Sequence, residues 1–151
     1  MKRENQMQRL SAILLAACLC GPAAAAPLCD DFGFAGLLAK CNRGDTIMLT
    51  LASGQPLGED VVLQSGAYYK MEIVADGSAE LAVSGPDFFR AIWMNEIVIN
   101  DIEIRPMAID SIEFDDAGAA ELSFIAILPG THVLGIPGAT GESQQVRITI
   151  Q

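Results

Sequence analysis

The chain has 151 residues, nine Lys and Arg against nineteen Asp and Glu, and a net charge of −10. That balance leaves nucleic acid and anionic lipid as poor partners, since both require a basic footprint. The length without a leader suits one domain with a proper core.

In chain order, the first element is an export signal. Met1-Lys2-Arg3 and Arg9 precede an uncharged apolar run from Leu10 to Cys20, followed by Gly21-Pro22 and a row of alanines. This is the three-part pattern of a secretion signal. The run is shorter than the roughly 20 residues a bilayer span needs, so no stable membrane span is expected. With Ala23 and Ala25 in the small-residue positions and Pro27 a poor neighbour for a scissile bond, residues 1–25 are read as the signal and 26–151 as a single domain. Leu15-Ala16-Ala17-Cys18 also resembles a lipobox, which would make Cys18 a lipid anchor; Gly21-Pro22 ends the run as an ordinary signal would. Either route predicts a periplasmic or secreted protein.

Past residue 25, six cations face eighteen acids, near −12. Cys29 and Cys41 remain, an even pair expected in an oxidising compartment to form a disulfide. Their spacing matches neither a Cys-x-x-Cys redox motif nor a zinc knuckle. Residues 32–38 are apolar and suit a short helical turn or packed loop. From Thr46 onward, short runs rich in Val, Ile and Tyr alternate with Gly, Pro, Asn and Asp about every ten residues, the texture of an all-β sandwich or barrel. Strands are expected at 46–51, 61–64, 68–75, 79–84, 96–99, 102–105, 111–114, 120–127, 131–135 and 145–150. In the last, Val146, Ile148 and Ile150 alternate with Arg147, Thr149 and Gln151, predicting one buried face.

Two segments interrupt this pattern. Pro86-Asp87 followed by Phe88-Phe89-Arg90-Ala91-Ile92-Trp93 predicts a short helix over 87–93 capped by Asp87. Between Glu96 and Arg105 the apolar parity slips at Asn100-Asp101, which marks a tight hairpin turn or a bulge. Hairpin arms of four residues are marginal, so a single bent strand is expected.

The last fifty residues resemble a cupredoxin. The run 120–127 leads to Pro129-Gly130-Thr131-His132-Val133-Leu134-Gly135-Ile136, then Pro137-Gly138 and the strand Val146-Arg147-Ile148-Thr149-Ile150. The resemblance implies an antiparallel Greek-key β-sandwich. It would place the copper cysteine near Ile136 and the loop histidine near Gly141, where neither residue type stands. The upstream histidine would fall in 96–105, which has none. A type 1 centre needs two imidazoles and a thiolate, and the chain has one histidine. No copper cofactor is therefore expected. His132 stands where the family usually has Tyr or Phe and reads as a packed aromatic substitute. The alternative is a soft-metal (copper) carrier using His132 with Met94 and Met107, and further Met48 and Met71; thioethers suit Cu(I). Those methionines are scattered, and core filling explains them more cheaply.

Catalytic motifs are missing: there is no zinc His-Glu-x-x-His, no Gly-x-Ser-x-Gly elbow and no phosphate-binding loop. The acidic pairs Asp30-Asp31 and Asp115-Asp116 fall at expected turns or solvent faces. Phe88, Phe89, Arg90 and Trp93 join aromatic bulk to a cation, a composition enriched at binding surfaces. A plug at one end of the sandwich, with Arg90 pairing to Glu103 or Asp101, is the favoured reading of the same residues. The expectation is an exported, non-catalytic binding or accessory protein with an unidentified protein or small-molecule partner. A structural subunit pairing through its edge strands is the remaining alternative.

Overall fold

The computed structural model describes residues 28–151. The export signal, its cleavage position and the lipobox cysteine lie outside the described residues.

Ten strands form two five-stranded sheets. The first has the order β1 (Ile47–Leu51), β3 (Tyr68–Ala75), β8 (Gly118–Ala126), β5 (Ile92–Ile99) and β6 (Ile102–Ile104). The second has the order β2 (Val61–Leu63), β10 (Gln145–Ile150), β9 (Gly130–Gly135), β4 (Leu81–Ser84) and β7 (Ser111–Phe114). The chain changes sheet at most connections, which staples the two layers together. All ten expected strands are present. The sandwich is not wholly antiparallel, because β1 runs parallel to β3 and β2 parallel to β10.

The period-two pattern builds the core directly. Ile47, Leu49 and Leu51 of β1 point inward, as do Tyr69, Met71 and Ile73 of β3. Ala120, Leu122 and Phe124 of β8 join them from the same sheet, opposite Val146, Ile148 and Ile150 of β10. The predicted alternation in β10 is thus the inner wall of the second sheet.

Before β1, two 3-10 turns (Gly33–Leu38 and Lys40–Asn42) occupy the segment expected to hold a short helical turn. The Cys29–Cys41 disulfide closes this loop, with Cα atoms 5.8 Å apart. Asn42, fully buried, ties the loop to the sandwich: its amide donates to the carbonyls of Leu37 and Gly66, at 2.8 and 2.9 Å, and its side-chain oxygen accepts from Leu28 N–H.

The segment 96–105 is a hairpin and not one bent strand. Asn100 and Asp101 both have positive φ (49° and 63°), the backbone of a tight two-residue turn between β5 and β6. The short arm holds because β5 is already zipped to β8 and β6 only extends that sheet. A bulge does occur, but at Asn95, between Met94 and Glu96.

The helix is also shorter than expected. α1 spans Pro86–Arg90, and Trp93 belongs to β5. Pro86 takes the first helical position, so the cap falls on Gly85 and Asp87 caps nothing. Asp87 instead stands in the first turn, where a negative charge complements the helix dipole, and approaches Arg90 at 3.7 Å.

Candidate functional site

The aromatic cluster divides. Phe88 and Phe89 are buried, and Phe88 meets Phe124 edge-on with ring centroids 5.5 Å apart. They lie in the core at the end of the sandwich, which leaves Arg90 and Trp93 as the exposed members of the cluster named for a partner surface. The reason is helical geometry: with Pro86 opening the helix, Phe88 and Phe89 turn toward β8 while Asp87 and Arg90, three apart, face out. Trp93 is half exposed and pairs across the sheet with Ile125. Arg90 reaches neither Glu103 nor Asp101; its guanidinium lies 3.7 Å from the carboxylates of both Asp87 and Asp110. Glu103 pairs with Arg105 instead.

Arg90 lines an open cavity of about 490 Å³ with Gly85, Asp87, Leu128, Thr131 and His132 among its walls. Arg90 and His132 are 42 positions apart, and nothing in the sequence links them. Two local features bring them together. Gly85 lets α1 start hard against β9, since a Cβ there would collide with the Leu134 side chain and come within 2.7 Å of the Val133 carbonyl oxygen. Gly130, with φ of 152°, starts β9 in a conformation that favours glycine. His132 then turns its Nε2 toward the Leu128 carbonyl oxygen at 3.3 Å, donating in the Nε2–H tautomer. The corner therefore offers a loosely paired guanidinium, an imidazole, a threonine hydroxyl and an apolar floor. Those groups suit recognition by hydrogen bonding and contact. Asp76, held below the usual carboxylate range by the Ser78 hydroxyl and N–H, lies outside the lining.

The methionines do not gather at His132, and none lines its cavity. Met71 is buried, as core filling requires, and Met94 packs against the core. Met48 and Met107 are exposed, which corrects the reading of all of them as core. Among the described residues no three His, Cys, Asp or Glu side chains form a group suited to a metal ion.

A blue copper oxidase from Nitrosomonas europaea shares this arrangement with a TM-score of 0.51 at 9% identity, over 70% of this chain and 43% of that one. The fold is cupredoxin-like. A multicopper oxidase from Campylobacter jejuni, described as a metallo-oxidase, aligns at 7% identity with a TM-score of 0.49, over 72% of this chain and 30% of its own. The chain thus spans less than half the length of either neighbour, and identities this low concern the backbone path alone. No family profile matches the cupredoxin-like chain, and no curated protein does. No helix among its described residues is long and apolar enough to cross a membrane.

Proposed function

We propose that the chain is an exported, non-catalytic binding or accessory protein built on a cupredoxin-like sandwich without a type 1 copper centre. Its partner-facing side is the corner formed by α1 and β9, with Arg90 and His132 as the recognising groups and the exposed Trp93 on β5, directly after α1. The observation that carries this reading is the cavity itself, where the fold converges a cation and the chain's single histidine from distant positions. Arg90 is exposed and only loosely held by Asp87 and Asp110, so a partner can displace those contacts at little cost.

The donor chemistry supports the same reading. Type 1 copper takes two imidazoles and a thiolate, whereas this chain has one histidine and Cys29 and Cys41 are joined to each other. The disulfide also agrees with the export signal read at residues 1–25, because such bonds persist in oxidising compartments.

Site-specific photo-crosslinking in the native compartment tests the proposal. A crosslinker at position 90 or 132 is expected to give one discrete adduct, and a crosslinker at Glu72, on a different part of the sandwich, none. Equal labelling from all three positions, or none from 90 and 132, would contradict it.

A further inference from the structure

The four edge strands of the sandwich are β1, β6, β2 and β7, and they differ in how they treat a second copy of the chain. Thr50 of β1 already donates to Leu57, so a neighbouring segment covers part of that edge. Beside β2, Asp60 is held by Arg147 at 2.9 Å and Glu59 precedes it; around β7 stand Asp110, near Arg90 at 3.7 Å, and Glu113, Asp115 and Asp116. Two copies brought together at β7 would set acid against acid, and β2, Val61–Leu63, carries no charge that could fix a register. β6 is the exception: Ile102, Glu103 and Ile104 are all exposed, with Asp101 before them and Arg105 after, and the exposed Arg105 guanidinium, 3.0 Å from Glu96 and 3.1 Å from Glu103, sets a cation beside the acids of this edge.

Hairpin geometry fixes which backbone groups of this edge are free. A two-residue turn makes its flanking residues, Ile99 and Ile102, a hydrogen-bonded pair. Ile104 opposite Ile97 is the next such pair, so Ile102 and Ile104 direct their N–H and C=O groups into β5. Glu103 directs its own outward, and Arg105 continues the alternation because Pro106 biases the residue before it to an extended backbone. The free rungs are therefore at Glu103 and Arg105.

We propose that β6 is a self-pairing edge: two copies of the chain join antiparallel through residues 102–105, with Glu103 of each opposite Arg105 of the other. Only this register satisfies both requirements. Glu103 opposite Glu103, or Arg105 opposite Arg105, also matches free rungs but sets like charges face to face, which destabilises a sheet. In the proposed register each Glu103–Arg105 pair exchanges two backbone hydrogen bonds, giving four across the seam. The two Ile104 residues meet at the two-fold axis on the opposite face from the charges. Pro106 falls opposite Ile102, at a position that faces away from the seam, so its missing N–H costs no rung. The result is a symmetric, ten-stranded sheet in which both half-exposed isoleucines lose contact with water. The excess of eighteen acids over six cations past residue 25 opposes the union, so the dimer is weak and depends on concentration. This edge and the α1–β9 corner lie on different elements, and each inference stands without the other.

Sedimentation analysis at physiological ionic strength is expected to show the mass rising from one chain toward two with concentration. Glu103→Pro removes an outward N–H while leaving the β5–β6 ladder intact; it should weaken association by at least about tenfold with an unchanged unfolding midpoint. Ile104→Cys should form a disulfide-linked dimer under mild oxidation, since residues paired this way sit about 4.5 Å apart. Ile102→Cys should not, because the two copies of that position lie about 14 Å apart along the seam. If Glu103→Pro fails to fold, the two cysteine variants decide. A chain that stays monomeric throughout, or Ile102→Cys crosslinking as readily as Ile104→Cys, would overturn the proposal.

Discussion

Phe88→Ala should lower the unfolding free energy by about 3–5 kcal/mol, while Trp93→Ala should lower it by less than about 1 kcal/mol. The two aromatic residues are five positions apart and look alike in the sequence, yet they stand in opposite environments. Phe88 is fully buried, packed edge-on to Phe124 and 5.5 Å from the Phe89 ring. Truncating it removes apolar area and leaves a cavity where the rigid ends of α1 and β8 meet. Trp93 keeps 48% of its surface exposed, so its truncation gives up cross-strand contact with Ile125 and little else. Urea unfolding of the two variants beside the parent measures both. Comparable losses would mean that Trp93 is structural, and would remove it from the proposed partner-facing side.

Replacing both Cys29 and Cys41 with serine should cost about 3 kcal/mol, the chain-entropy value for a loop of this length. That loss appears in global unfolding only if the loop is coupled to the sandwich. Asn42 supplies the coupling, because its buried amide bonds to Gly66 just before β3 while accepting from Leu28. The loop cannot peel away without exposing or stranding those groups. Reductant should shift the parent's unfolding midpoint to that of the double variant and leave the variant unmoved. Unfolding midpoints that agree within error before and after reduction would show a loop that frays independently of the domain.

Strands were legible because turn residues recur every ten or so positions and apolar residues alternate between them, as in β10, where Val146, Ile148 and Ile150 form the inner wall. The disulfide was legible from an even pair of cysteines in a sequence read as exported. Less was legible wherever a neighbour decides the outcome. A four-residue arm is marginal alone, so 96–105 read as one bent strand; pairing of β5 with β8 supplies the support that makes the hairpin stable. Phe88, Phe89 and Trp93 read as one cluster, but α1 ends at Arg90 and Trp93 takes its direction from β5. The meeting of Arg90 with His132 left no signal in the sequence, because it depends on how closely Gly85 allows α1 to approach β9. Glycine at 85 is visible in the sequence; its contact is not.

In the proposed function a cupredoxin-like sandwich serves binding and not copper chemistry. The metal content of protein purified from its native compartment tests this most directly, with the parent and His132→Ala measured side by side. Copper far below one atom per chain is expected in both, with no intense blue absorption. Stoichiometric copper in the parent, lost in His132→Ala, would contradict it and point to a metal site that includes His132.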